Sequence, residues 1–257
     1  MSEPLTISRN GRTVIVAINR PERRNAVDLA TAQALHRAFL EFDADAGADI
    51  AILTGNGGAF CAGADLRALS EGERKPIAAD GDFAPMGPTR LKLSKPVIAA
   101  IEGPAVAGGM ELALWCDLRV AATSAFFGIF NRRFGVPLID LGTIRLPRLI
   151  GQSRAMDLIL TGRKVTAQEA YEMGLVNRLT EAGGALVAAL ALAAEMSGFP
   201  QTALRNDRCS VLEQWELSDE DARRNEMTRG QATIASGESY EGAARFSSGA
   251  GRHGTFE

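Results

Sequence analysis

Along this chain, short apolar runs alternate with stretches in which apolar residues recur every three or four positions. Thr13–Asn19 (TVIVAIN) is a β-branched run stopped by Arg20-Pro21, and it predicts a strand. Leu29–Phe42 sets Leu35, Ala38, Phe39 and Phe42 on one helical face, with Asp28 as the expected N-cap. Ile50–Thr54 predicts a second strand, ended by Gly55-Asn56-Gly57-Gly58, and Val97–Glu102 and Leu118–Ala122 predict two more. Helices are expected over Asp140–Ile150, Ala155–Leu160 and Thr166–Met173. The last of these opens on a capping box, Thr166 with Glu169, and closes at Gly174; Leu175–Leu179 then returns as a strand. From Gly183 the pattern is helical to about Gly237, broken at Gly198 and Pro200, and Ser239–Ala244 is a last short helix. Strands alternating with helices imply an α/β class, followed by a mostly helical tail from about residue 200. Residues 71–88, with Gly72, Pro76, Gly81, Pro85, Gly87 and Pro88, predict a flexible loop, and Phe126–Gly142 reads as irregular and apolar.

Two turns carry the candidate chemistry. Ala107-Gly108-Gly109-Met110-Glu111 follows the apolar run Pro96–Val106 and opens another, Leu112–Cys116. Small residues let a carbonyl approach the backbone, and the free N–H groups of a helix start can point at it. Glu111, one helical turn on, is positioned to move a proton beside it. Ala62-Gly63-Ala64-Asp65 has the same make-up and also opens a helix. Either turn alone reads as an ordinary strand-to-helix connection. Together they offer two N–H groups that can converge on one oxygen, the arrangement that stabilises an enolate without a metal.

Composition narrows the chemistry. The 257 residues are 46% apolar and 23% charged with a net charge of −3, an ordinary globular balance with no nucleic-acid footprint. Arg20, Arg23 and Arg24 cluster and read either as a solvated turn or as a phosphate contact. Cys61, Cys116 and Cys209 are widely spaced, without a CxxC pair, which indicates neither a disulfide framework nor a zinc site. Reduced thiols, the absence of a signal pattern in MSEPLTISRNG and the absence of a long uninterrupted apolar run predict a cytoplasmic protein without a membrane span. His36 lies in a helical pattern and His253 in a Gly-rich tail, so a His-based nucleophilic mechanism or a His-rich metal site is not indicated.

The segments RNAVD (24–28), AFCAGADL (59–66), KPVIAAIEGPAVAGGMELALWCD (95–117) and LTGRKVTAQEAYEMGLVN (160–177) together resemble the enoyl-CoA hydratase/isomerase (crotonase) family, over roughly residues 5–180 in order. The resemblance implies a crotonase-like β-β-α spiral core over residues 1–200 with the acyl-CoA site, and a helical C-terminal trimerisation segment over 201–257. It further implies homotrimers or dimers of trimers, an acyl-CoA thioester substrate, and no metal or redox cofactor, coenzyme A entering only as part of the substrate. Carried over by position, the oxyanion hole is the backbone N–H of Ala64 and of Gly108. The adenine pocket of CoA is lined by backbone near Arg24–Ala26 and Ala62–Leu66, with Asp65 tying its own loop together and Arg24 available to a phosphate.

One position departs from the family pattern. Hydratases of the family hold a water between two glutamates; Glu111 falls on the first, and Asn131 falls where the second belongs. An amide can hydrogen-bond a water but cannot carry the catalytic proton. Asp140 is either a substitute acid near the acyl group or the N-cap of the helix that follows, while Glu102, at a strand end, reads as structural. Arg132 and Arg133 face solvent or a neighbouring subunit, or else pair with Glu111 or Asp140; pairing with Glu111 would keep that carboxylate ionised. The functions that remain are enoyl-CoA hydration or dehydration, double-bond isomerisation with a single carboxylate, and acyl-CoA binding without chemistry. A Rossmann reading has no GxGxxG to rest on.

Overall fold

The computed structural model describes residues 3–78 and 80–251, and His253 lies outside them. The chain divides into two compact units, one ending at Met196 and the other starting at Ser197.

The first unit begins with a hairpin that the apolar pattern does not announce. Strand β1 (Leu5–Asn10) pairs antiparallel with β2 (Thr13–Ile18) around Gly11, whose φ of +57° suits the tight turn. Only Leu5 of β1 is buried, so the strand carries almost no hydrophobic signal. Helix α1 (Leu29–Ala44) starts as expected on Asp28, whose Oδ1 accepts the Thr31 N–H at 2.8 Å. Its buried face is Ala32, Leu35, Ala38, Phe39 and Phe42, with Thr31.

The remaining strands wind as a spiral in which each turn feeds two sheets. Strand β3 (Ile50–Gly55) is followed by a turn at Cys61 and by α2 (Leu66–Ser70); β4 (Val97–Ile101) by β5 (Pro104–Val106) and α3 (Gly108–Trp115). Next come β6 (Leu118–Ala122), β7 (Phe126–Gly128), α4 (Gly142–Ile150) and α5 (Gln152–Thr161), then β8 (Val165–Thr166), α6 (Ala167–Glu172), β9 (Arg178–Thr180) and α7 (Ala185–Ser197). The larger sheet has the order β1-β2-β3-β4-β6-β9, parallel after the first hairpin, and the smaller has the order β5-β7-β8. Cys61 bridges to Ala105, so the first turn of the spiral also touches the smaller sheet. This is the α/β crotonase fold expected from the motifs.

Period-two alternation decides which core each strand residue enters. Ile50 and Ile52 of β3, with Ile98 and Val120, pack against Ala185, Ala189, Leu192 and Ala193 of α7. Ala51 and Leu53 face the opposite side, toward Leu35, Phe39 and Met110. Glu102 is structural, as read: its carboxylate accepts from the N–H groups of Gly183 and Ala185 at the start of α7.

Several boundaries differ from the sequence reading. The strand expected over Leu175–Leu179 shortens to Arg178–Thr180. Thr166 does cap α6 through the Glu169 N–H, but the Glu169 carboxylate is held by Arg163. The Phe126–Gly142 stretch contains β7 and a short 3-10 turn over Phe130–Phe134. Of the loop 71–88, the part from Ala84 to Pro88 is buried.

The second unit comprises α8 (Gln201–Glu213), α9 (Asp219–Ala235) and α10 (Glu238–Ser247). A further break at Gln214–Ser218 interrupts the expected run, because Ser218 caps α9 through the Asp221 N–H. Glu213 of α8 pairs with Arg229 of α9, and the Glu238 carboxylate accepts the Thr202 and Ala203 N–H groups at the start of α8. Trp215, Met227, Tyr240 and Phe246 are exposed. Among the described residues no helix is long and apolar enough to cross a membrane, and no cluster of His, Cys, Asp and Glu could hold a metal ion. All three cysteines are free thiols. Burial drives the Cys61 thiol up to about 12, and Cys116 also upward, so neither is a ready nucleophile.

Candidate active site

The two glycine turns are neighbours because they occupy equivalent places in successive turns of the spiral. Cys61 N–H donates to Pro104 O at 2.9 Å, and Val106 N–H donates to Cys61 O at 3.1 Å. The next rung repeats the pairing, with Ala107 N–H donating to Gly128 O at 2.8 Å. A Cβ on Gly63 would lie 3.1 Å from Gly108 N, and one on Gly109 only 2.1 Å from Cys61 O. Only glycine permits so close an approach of the two backbones.

Ala107, the residue before α3, has φ 52° and ψ −125°, a region that side chains rarely adopt, and it offers no side-chain cap. The helix start is left open. Among the described residues no protein acceptor meets the N–H of Gly108 or of Ala64. Both residues line one pocket of about 130 Å³, together with Ala62, Leu66, Met86, Ala107, Glu111, Phe130, Asn131, Phe134 and Asp140.

Three polar side chains enter this otherwise apolar space: Glu111, Asn131 and Asp140, each at least nine-tenths buried. Glu111 Oε1 accepts the N–H of Asp140 at 3.0 Å and of Gly142 at 2.9 Å. Burial, and secondarily the charge of Asp140, push the Glu111 carboxyl up to about 8, against the pull of those two N–H groups. Asp140 Oδ1 accepts from Met86 N–H at 2.9 Å and from Thr89 Oγ1 at 2.6 Å; burial raises this carboxyl too. Asp140 is therefore not the N-cap of α4. Leu141 holds that place with φ 67°, and the Asp140 side chain is drawn instead toward the Met86–Thr89 segment.

Arg132 and Arg133 do not reach either carboxylate. They bond the carbonyls of Ile159 and Gly162, and Arg133 lies over the Phe130 ring. A cation near Glu111 is Arg145, which donates to Asp140 O at 3.2 Å and Thr89 O at 2.7 Å; burial lowers its pKa to about 10. Lys75, whose Nζ donates to Val27 O at 2.7 Å and Pro85 O at 2.8 Å, fastens the loop near Asp140. Sequence reasoning missed Thr89, Arg145 and Lys75. Their only local signature is a polar residue in a loop or on a helix, because each meets its partners through distant chain segments.

The residues assigned to CoA contact split into two groups. Ala62, Ala64 and Leu66 line the pocket, whereas Arg24, Ala26 and Asp65 do not. The two stretches nevertheless run side by side: Ala62 N–H donates to Arg24 O, Val27 N–H to Gly63 O and Asp65 N–H to Val27 O. Arg24 is exposed, with φ 49°, and Ala26 is buried. Arg20 is a part-buried brace rather than a solvated turn residue: it bonds Ala26 O and pairs with Asp28 at 2.8 Å and Asp65 at 2.9 Å. Asp65 caps α2 through the N–H groups of Arg67 and Ala68, so its side chain ties the loop.

The sequence matches the profile of the family "Enoyl-CoA hydratase/isomerase" over residues 9–249. It is 37% identical over 247 residues to the enoyl-CoA hydratase EchA19 of Mycobacterium tuberculosis, covering 93% of this chain and 92% of that protein. It is 40% identical over 201 residues to a carnitinyl-CoA dehydratase of Salmonella arizonae, covering 76% of this chain and 75% of that one. The crystal structure of the enoyl-CoA hydratase EchA1 of Mycobacterium marinum superimposes with a TM-score of 0.90 at 38% identity, over 96% of each chain. The chain thus belongs to the enoyl-CoA hydratase/isomerase, or crotonase, family.

Proposed function

We propose that the protein is an acyl-CoA lyase that adds water to a 2-enoyl-CoA and removes it from the 3-hydroxyacyl-CoA, with Glu111 as the single proton carrier. The observation that supports this most directly is one buried, basic carboxylate sharing a pocket with two backbone donors on adjoining turns that meet no protein acceptor among the described residues. The thioester oxygen sits between Ala64 N–H and Gly108 N–H. As water adds to Cβ, ionised Glu111 takes one of its protons, and the π electrons move onto the thioester oxygen as an enolate. Glu111 then returns that proton to Cα and the carbonyl re-forms. The reverse sequence is dehydration. Each hydrogen bond to the enolate oxygen contributes about 3 kcal/mol of transition-state stabilisation.

Asp140 serves as a partner charge that keeps Glu111 basic. A general base with a pKa close to the working pH is the most effective kind. The paired stretches Arg24–Ala26 and Ala62–Leu66 receive the adenine end of CoA, with Arg24 toward a phosphate. Residues 201–257 serve as a trimerisation segment, in keeping with the exposed apolar side chains of α9 and α10. Similarity to hydratases and to dehydratases supports the direction of the chemistry. Double-bond isomerisation is the second reading. Asn131 favours it, since moving a double bond requires only that one carboxylate remove and return a proton.

The test is a panel of 2-enoyl-, 3-enoyl- and 3-hydroxyacyl-CoA thioesters followed by mass spectrometry. Interconversion of the first and third classes, lost in Glu111→Gln, is the expected outcome. Turnover of 3-enoyl-CoA alone would establish the isomerase, and tight binding without turnover would leave a binding protein.

A further inference from the structure

Asn131 is 6% exposed and lines the same pocket as Glu111. Its amide orientation is fixed from behind: Nδ2 donates to Val136 O at 2.7 Å. Exchanging the amide O and N would set two acceptors against one another, so the oxygen must be the atom left over. That atom, Asn131 Oδ1, is buried and has no hydrogen-bond partner among the described residues. A buried amide oxygen without a donor costs stability, on a scale comparable to a lost hydrogen bond. In a ligand pocket, such an atom marks where a donor is received.

We infer that Asn131 Oδ1 is a positioning group that accepts the water hydrogen which stays behind, and so holds the 3-hydroxyl of the product. The inference rests on the hydration reading above. An attacking water has two hydrogens. One leaves to Glu111 as the C–O bond forms; the other remains on oxygen and becomes the hydroxyl hydrogen. A carboxamide oxygen is suited to the second and not to the first, because it accepts a hydrogen bond without taking the proton. The site therefore divides two tasks, transfer at Glu111 and orientation at Asn131.

The test separates orientation from proton transfer. Exchange of Cα hydrogen for deuterium in a saturated acyl-CoA requires the oxyanion hole and Glu111 but no water at Cβ. Asn131→Leu is expected to lower kcat for hydration and dehydration by about 10²-fold, the cost of losing a positioning contact, while exchange stays within about threefold of the parent. Asn131→Asp, which keeps an acceptor oxygen of the same shape, is expected to recover most of the loss at a pH where it is protonated, measured against the parent at that same pH, since protonation of Glu111 lowers both rates there. Equal loss of both reactions in Asn131→Leu would reduce Asn131 to a structural anchor of Val136, and unchanged hydration would overturn its role outright. If the parent protein shows exchange but no hydration of any enoyl-CoA, the hydration reading fails and the role of Asn131 falls with it, whereas hydration by the parent that Asn131→Leu leaves unchanged removes the assignment of Asn131 alone.

Discussion

The backbone N–H of Asp140 donates to Glu111 Oε1 at 3.0 Å, while burial and, after it, the charge of the Asp140 side chain drive the Glu111 carboxyl upward. One residue thus supports the ionised form of Glu111 through its main chain and opposes it through its side chain. The substitution Asp140→Asn separates the two effects. The amide oxygen can still accept from Met86 N–H and Thr89 Oγ1, and the main-chain bond persists. Only the charge is lost. In the parent protein kcat/KM is expected to rise with pH to a plateau above about 8, since ionised Glu111 starts the reaction. In Asp140→Asn the rising limb should move to lower pH by on the order of one unit. An unmoved limb with lost activity would make Asp140 a proton-transfer group in its own right.

Glu111 also leaves a signature in stability. Its folded-state pKa, about 8, lies above the ordinary carboxyl value of 4.5, so the folded state binds more protons than the unfolded state between these two limits. Stability is fully present below the lower value and is lost as pH rises through the upper one. Glu111→Gln keeps an acceptor for the Asp140 and Gly142 N–H groups and removes the buried charge. Its stability, followed by melting temperature, should exceed that of the parent by little at pH 5 and by much more at pH 9, where the stability difference is on the order of a few kcal/mol. The same variant should lose about 10³-fold in kcat. A constant gap in melting temperature across pH would mean that Glu111 titrates normally.

Locally encoded features were legible before the structure, and those built from distant contacts were not. Asp28, Thr166 and Gly174 mark helix ends through their own side chain or backbone freedom, and each acts where the sequence puts it. The two turns at Ala64 and Gly108 were readable only as a pair, since either alone reads as an ordinary strand-to-helix connection. Strand β1 was invisible because its side chains are almost all solvated. Asp140, just before α4, read equally as a helix cap or as an acid near the acyl group. Its side chain is claimed by Met86 and Thr89, more than fifty positions earlier, and no pattern along the chain records that. Arg145 escaped for the same reason: its bond to Thr89 O is set by how α4 crosses the loop.

The close approach of the two turns predicts opposite fates for two adjacent glycines. An added Cβ at Gly109 would stand 2.1 Å from the carbonyl oxygen of Cys61, a backbone atom held in the ladder with Val106. Gly109→Ala should pry the turns apart, at a cost beyond the 1–3 kcal/mol usual for overpacking, and yield little folded protein. An added Cβ at Gly108 meets Met86 Sδ at 2.5 Å, the far end of a flexible side chain. Gly108→Ala should therefore fold, with a melting temperature close to the parent's, and show its defect in kcat and KM through the displaced Met86. Equal stability of the two variants would show that the turns are not in contact as described.

Asp65 offers a test of binding without chemistry. It lies one residue past the Ala64 donor, yet its carboxylate is directed to the Arg67 and Ala68 N–H groups and to Arg20. Burial pushes this carboxyl up, but the Ala68 N–H, the Arg20 guanidinium and the Arg67 N–H outweigh it, so its pKa falls below the ordinary value. A lowered carboxyl contributes stability that is present above its unfolded value and lost as pH falls through its folded one. Asp65→Ala removes a helix cap and one arm of the Arg20 brace, and should cost about 1–2 kcal/mol, measured by denaturant unfolding at neutral pH. Asp65→Asn, which keeps a cap but not the ion pair, should cost less. Because α2 begins at Leu66, on the wall of the pocket, loosening its first turn should raise KM for the CoA thioester severalfold and leave kcat within about threefold. A kcat loss as deep as that of Glu111→Gln would place Asp65 in the chemistry, and the loop-tying role would have to be given up.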